Sequence, residues 1–171
     1  MADNWLPGRQ GPRVAERALS AEEAAFLDAF LSAAVTVQRN LDSDLKCEQN
    51  RTLSEYITLR RLGDAPDRRM RINELAATAF LSLSRMSRIV EKLEQQGLVT
   101  REQVPDDRRG WNAVLTEAGI EWLRRGDRAY AASVHRHVLD QLDRRDLPAL
   151  TSVARVLANL PDRKPAFMRV A

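Results

Sequence analysis

Residues 81–98 read LSLSRMSRIVEKLEQQGL, and residues 105–111 read PDDRRGW. At about 100° per residue, Met86, Ile89, Val90 and Leu93 share one face of a helix. Ser84, Arg88 and Gln95 lie opposite, and Arg85 and Lys92 fall toward the flanks. Ser82 is placed to cap the N-terminus, and Gly97 to take the left-handed conformation that closes the helix and folds Leu98 back onto it. One face therefore packs and the other stays open. Two readings fit this segment. One is an ordinary amphipathic helix with a solvated basic face. The other is the second helix of a helix-turn-helix, whose first residues meet base edges in the major groove, where short hydroxyls permit close approach and arginine grips guanine.

The neighbouring sequence bears on that choice. NELAATAF predicts a short helix from about Asn73 to Phe80, preceded by a short extended piece, MRI. Downstream, LVTREQV and WNAVL have strand-like composition and are joined by PDDRRG, whose Pro, Asp and Gly favour a reversal. A hairpin directly after a candidate recognition helix is a wing, with Arg108 and Arg109 at a tip aimed at the minor groove. Asp107 accepts hydrogen bonds from the turn backbone or holds an arginine in position. Read alone, DDRRG is a solvated turn. Its order and spacing relative to the helix favour the wing.

Further out, helices flank this middle. Ser20 with Glu23 makes a capping box, after which Phe26, Phe30, Ala34, Val37, Leu41 and Leu45 recur at helical spacing, predicting one long helix to about Lys46. Thr52 with Glu55 repeats the box, and Tyr56, Leu59 and Leu62 make a second helix ending near Gly63 and Pro66, with a loop over 63–69. After a cap at Thr116, Ile120, Leu123, Tyr130, Val134, Val138 and Leu142 hold a stripe for about seven turns. Leu147, Leu150, Val153, Leu157 and Leu160 form another. These stripes carry more apolar surface than a small core covers, which calls for a partner chain, the alternative being one bundle folded onto its own core. The first residues, MADNWLPGRQGPRV, show no sustained apolar period and read as an extended arm. The expected division is an arm over 1–18, a dimerisation helix over 19–50, a DNA-binding core over 51–116, C-terminal dimerisation helices over 117–162 and a tail over 163–171.

Composition narrows the classes. A chain of 171 residues with net charge +3 fits one domain or a small module with extensions. Its basic residues are largely arginine, which suits phosphate and guanine better than lysine does. Cys47 is the sole cysteine, so no intrachain disulfide forms, and no cationic segment leads into an apolar one as in a secretory signal. No apolar run approaches the roughly 20 residues of a membrane span. A cytoplasmic protein is expected. His135 and His137 stand two apart and point to different sides of a helix, so surface histidines are expected rather than a metal site. Without a Gly-rich phosphate loop, a nucleophile elbow or paired catalytic acids, neither enzymatic activity nor a cofactor is expected.

Residues from about 53 to 119 resemble the winged-helix core of the MarR family of bacterial transcription regulators. The resemblance rests on INELA, SLSRMSRIVEKLEQQGLV and PDDRRGWNAVLTEAG, the last holding the family's Asp-x-Arg wing and its Leu-Thr-x-x-Gly lead into the next helix. It implies a mainly α fold: a winged helix-turn-helix core with a small β-hairpin wing, flanked by N- and C-terminal dimerisation helices. It also implies a homodimer on a pseudo-palindromic DNA operator, commonly a repressor, released by a small aromatic or phenolic effector. Carried over by position, Ser82, Ser84, Arg85, Ser87 and Arg88 meet the major groove, and Asp107, Arg108 and Arg109 form the wing site. Trp111 and Trp122 are candidates for an effector pocket between the wing lobe and the dimer helices, although such tryptophans are more often packing residues with a polar handle. Some relatives sense oxidants through a thiol near the start of the first helix, whereas Cys47 lies at its far end. Phe80 departs from the family's pattern, which often has glycine or another small residue in that turn. The competing reading is a winged-helix interaction module whose arginine faces bind an acidic protein partner.

Overall fold

A computed structural model of the chain describes residues 18–104 and 107–158, with the side chains of all of these except Arg108 and Arg109. The expected arm up to residue 17, the tail over 163–171 and Leu160 lie outside the described residues. Helix α1 runs Ala21–Gln49 and starts at its capping box: the Ser20 N–H donates to Glu23 Oε2 at 2.7 Å, and the Glu23 N–H to Ser20 Oγ at 3.2 Å. The chain divides into two units after Ala34, inside this helix. In the first unit Phe26 and Phe30 stack at 6.0 Å and stay exposed, as do Leu27 and Leu31. In the second, Leu41 and Leu45 are buried. The single apolar stripe of the sequence therefore has two fates.

The second unit holds the winged helix. Helix α2 (Leu53–Asp64) follows the box at Thr52, and the Leu53 N–H is held by Asp42 Oδ1 at 2.8 Å, which joins its first turn to α1. Strand β1 (Arg69–Arg71), helix α3 (Ile72–Thr78) and helix α4 (Leu83–Gln95) come next, then strands β2 (Val99–Val104) and β3 (Asp107–Leu115). The antiparallel sheet runs β1-β3-β2, with Met70 and Arg101 both opposite Ala113 and Val99 opposite Leu115. The short extended piece expected at MRI is thus a third strand, shifted by one residue to Arg69–Arg71, with Ile72 opening α3 instead. Leu59, Leu75, Met86, Val90, Leu93 and Val99 are fully buried where α2, α3 and α4 meet the sheet. Burying these side chains contributes roughly 2 kcal/mol each, the largest favourable term in this small core.

Helix α5 covers Glu117–His137, shorter than the stripe to Leu142 suggested. It ends at Val138 (φ −133°, ψ −65°), and beyond a single 3-10 turn the Asp143 carboxylate accepts the Arg145 N–H at 2.9 Å, a local bond that competes with helix. Helix α6 (Leu147–Leu157) then begins with Pro148 in its first turn.

The Leu-Thr-x-x-Gly stretch is a joint between sheet and α5. Thr116 Oγ1 accepts the Gly119 N–H at 3.1 Å and donates to the Gly97 carbonyl at 2.7 Å, while the Thr116 N–H donates to the Leu98 carbonyl at 3.1 Å. The helix start comes so close that a Cβ on Gly119 would lie 2.3 Å from Leu98 O and 2.6 Å from Leu115 Cδ1. Gly97 has open space around it but a φ of 70°. Two glycines are thus needed for different reasons. Denaturant unfolding should show Gly119→Ala losing about 2 to 3 kcal/mol through a backbone clash. Gly97→Ala should lose only about 1 kcal/mol through its left-handed backbone. Equal losses would mean that close packing at α5 is not what fixes Gly119.

Candidate nucleic-acid interface

Helix α4 presents its exposed face because its other faces are held. Ser82 caps it, accepting the Arg85 N–H at 3.3 Å, and its hydroxyl lies 3.4 Å from that of Ser84. Met86, Val90 and Leu93 point into the core. On one flank the Lys92 ammonium meets Glu55 Oε1 at 2.5 Å and Arg85 donates to Ser54 Oγ at 3.2 Å, both partners on α2. On another, Glu94 accepts from Arg101 of β2, at 2.7 Å from Nε. Ser84, Ser87 and Arg88 stay exposed, and among the described residues Arg88 has no acidic partner. Glu91 is exposed farther along the helix, adding a negative charge beyond its first turns.

Of the expected recognition residues, the structure places Ser82 at the N-cap of α4 and Ser84, Arg85, Ser87 and Arg88 in its first half, all of them exposed. Arg85 belongs to the seam with α2. The partners that set this arrangement, Ser54, Glu55 and Lys92, were not singled out as site residues. Thr52-x-x-Glu55 was legible as a helix start, but a cap uses only one carboxylate oxygen, and nothing local shows where the other goes.

The wing differs from a simple hairpin with a basic tip. Asp107 pairs with Val104 and Trp111 with Gln103, so Arg108, Arg109 and Gly110 of β3 stand between the partners of two consecutive β2 residues. They bulge from the ladder on the strand itself, next to residues 105–106, which lie outside the described residues. The Asp107 carboxylate folds over Gly110, where a Cβ would lie 2.5 Å from Oδ2, and Arg71 of β1 donates to the same oxygen at 3.4 Å. Asp107 therefore ties the base of the bulge to the sheet. The side chains of Arg108 and Arg109 lie outside the described residues. The two tryptophans have different surroundings. Trp111 is exposed on β3 with the Arg101 guanidinium 5.9 Å from its ring centre, whereas Trp122 is buried on α5 with Arg51 at 5.6 Å.

Behind this face, α5 is fastened to α2 and α1. Tyr56 donates to Asp127 Oδ1 at 2.8 Å, Arg60 donates to Oδ2 at 2.7 Å, and the Tyr56 and Tyr130 rings stack at 4.6 Å. Burial and the Asp127 carboxylate push the Tyr56 hydroxyl far above its ordinary range, so it stays a donor. Asp44 of α1 accepts from Ser133 at 2.7 Å and Arg136 at 2.9 Å and lies 3.0 Å from His137 Nε2. The Ser133 hydroxyl, with His137 and Arg136, holds the Asp44 carboxyl below its usual value. Cys47 is exposed. Among the described residues no group of three or more His, Cys, Asp or Glu side chains is arranged to hold a metal ion, and no helix is long and apolar enough to cross a membrane.

The sequence profile of the MarR family matches residues 49–110. Sco3205, a MarR family transcriptional regulator from Streptomyces coelicolor crystallised in complex with DNA, is 35% identical over 83% of this chain and 89% of its own, with a TM-score of 0.78. AbsC, a MarR family transcriptional regulator from the same organism, is 34% identical over 84% of this chain and 96% of its own, with a TM-score of 0.76. A mutant MarR from E. coli, complexed with operator DNA, shares the fold at 18% identity and a TM-score of 0.68, over 80% of this chain and 95% of its own. No curated protein matches the chain.

Glu55 gives the site a pH signature. Burial pushes its carboxyl up, but Lys92, the Thr52 N–H and Arg51 outweigh burial and leave it below its ordinary value of 4.5. A depressed folded-state pKa stabilises the protein fully above the unfolded value, and that stability is lost as pH falls through the folded value. Glu55→Gln should unfold about 1 to 3 kcal/mol more easily at neutral pH and lose less stability than the parent on acidification below 4.5. Parallel pH profiles would mean that Lys92 does not hold the carboxylate.

Proposed function

Because the chain belongs to the MarR family of transcriptional regulators, we propose that it controls transcription as a homodimer on a pseudo-palindromic DNA operator, acting as a repressor released by a small aromatic or phenolic effector. The observation that carries this reading is the open Ser84, Ser87 and Arg88 face on a helix locked on its other sides. Such a face offers short hydroxyls and one uncommitted guanidinium, the chemistry that reads base edges. Ser82, Ser84, Ser87 and Arg88 are assigned to the major groove and Arg85, beside Ser54, to the phosphate backbone at its margin. Arg108 and Arg109, on the bulge that Asp107 fastens, are assigned to the minor groove, where negative potential attracts arginine. That the similar Sco3205 was crystallised in complex with DNA supports the DNA-binding reading.

The dimer reading rests on exposed apolar surface. Phe26, Leu27 and Leu31 on α1, and Leu150, Val153 and Leu157 on α6, are all more than 40% exposed, which is costly in a monomer. Segments 19–50 and 117–162 are therefore taken as dimerisation helices around a DNA-binding core at 51–116, and a two-fold pair carries two recognition helices to successive major grooves. For the effector, Trp122 beside Arg51 and Trp111 beside Arg101 each pair a ring with a cation, chemistry that suits an aromatic acid.

Sedimentation at micromolar concentration should give twice the mass of one chain; a single-chain mass would remove the dimer. In titrations on operator and scrambled duplex at several salt concentrations, Arg88→Ala should cost about 1 to 3 kcal/mol on operator and blur one base position. Arg109→Ala should weaken binding to both duplexes and flatten the salt dependence. A protein that prefers no duplex over another but binds acidic proteins is instead an interaction module.

A further inference from the structure

The turn into the recognition helix carries two apolar side chains that the fold does not use. Phe80 closes α3: its own N–H reaches Ala77 O at 3.2 Å and the Leu81 N–H reaches back to Ala76 O at 2.9 Å. This closure needs a left-handed residue, and Phe80 sits there at φ 55°. Glycine or asparagine takes that conformation at low cost, whereas a bulky aromatic is strained in it. The ring gains nothing inside the protein in return, because it is 72% exposed. Leu83, the first residue of α4, is 54% exposed, although Leu81 between them packs on the core. Strain and exposed apolar surface coincide at one turn, and backbone strain retained without internal compensation marks a functional contact.

We propose that Leu83, flanked by Phe80, reads the 5-methyl group of a thymine. Leu83 is one turn from Ser87 on the helix surface and adjoins Ser84 in sequence, so it continues the open face that ends in Arg88. The apolar group that a base pair displays in the major groove is the thymine methyl, and a leucine side chain beside hydroxyls that approach base edges is complementary to it. The exposed ring of Phe80 walls the contact from water. This inference rests on the DNA-binding reading and adds to it a base identity and two residues outside the positions carried over from the family.

The probe is a duplex enriched by the intact protein from a random-sequence pool, with each thymine replaced singly by uracil. That exchange removes one methyl and leaves every hydrogen-bonding edge unchanged. One uracil in each half-site is expected to weaken wild-type binding about fourfold, the worth of one buried methyl-sized group. Leu83→Ala, at an exposed position where folding is checked by melting, removes the contact from both half-sites, so it should bind the thymine duplex more weakly by about the square of that factor, roughly sixteenfold, and ignore that uracil. Arg88→Ala should remain sensitive to it. Phe80→Asn, which suits the left-handed turn, should raise the melting temperature yet shrink the uracil penalty. A wild type indifferent to every uracil, or Leu83→Ala with the full penalty, overturns the assignment. An unchanged penalty in Phe80→Asn removes Phe80 from it. Failure of any duplex to enrich is a different result, and defeats the DNA-binding reading itself.

Discussion

One buried carboxylate, that of Glu55, joins the apolar core in setting the rotation of α4 about its axis. Glu55 is 2% exposed, and an ionised carboxylate so placed is costly unless both oxygens are satisfied. Oε2 accepts the Thr52 N–H and Oε1 accepts from Lys92, so the group that starts α2 also grips α4. Turning α4 by a single residue, about 100°, would withdraw Lys92 and pull Met86 and Leu93 from the core together. Polar and apolar contacts thus select the same phase. With that phase fixed, Arg88 has no place to go but outward.

Much of this was legible because helices announce themselves locally. The boxes at Ser20 and Thr52, the cap at Ser82 and the Met86, Val90, Leu93 stripe each involve residues within a turn or two, and all form as read. The features that were not legible depend on distant partners. Strand β1 is three residues long, too short for alternation to show, and exists because β3 supplies its hydrogen bonds. Arg71 reaches Asp107 and Arg85 reaches Ser54 across more than thirty residues of sequence. The bulge at Arg108, Arg109 and Gly110 is a property of register, which a string of turn-forming residues does not specify. Phe80 was visible as a departure from a small residue. Its consequence is a left-handed backbone kept despite the side chain, since Leu81 and Ala76 still close the turn.

Periodicity also could not tell what covers a stripe. Phe26, Phe30, Leu41 and Leu45 have the same spacing logic, yet the last two are buried while the first two are exposed. The difference lies in the partners of the buried end. Ser133, Arg136 and His137 of α5 converge on Asp44, one residue before Leu45, and bring α5 against that part of α1. An acceptor beside Leu45 draws a second helix against this end of α1, and no spacing rule within α1 contains that information.

The fold leaves two kinds of surface exposed, and their chemistry suits different partners. On α1 and α6 the exposed groups are phenylalanine, leucine and valine, whose cost in water is relieved by burial against similar groups. On α4 they are Ser84, Ser87 and Arg88, which gain nothing from an apolar partner because burial would strip them of water without replacing its hydrogen bonds. A polyanion with hydrogen-bonding edges replaces those bonds; another helix of this chain does not. Leu83 and Phe80 are the exception, apolar groups beside the polar face, and a thymine methyl among base edges is an apolar partner found in the same place as polar ones. Under the proposed function, self-association and nucleic-acid recognition fall on chemically different surfaces, so a substitution on the apolar faces of the terminal helices is expected to act on assembly and one on the open face of α4 on recognition.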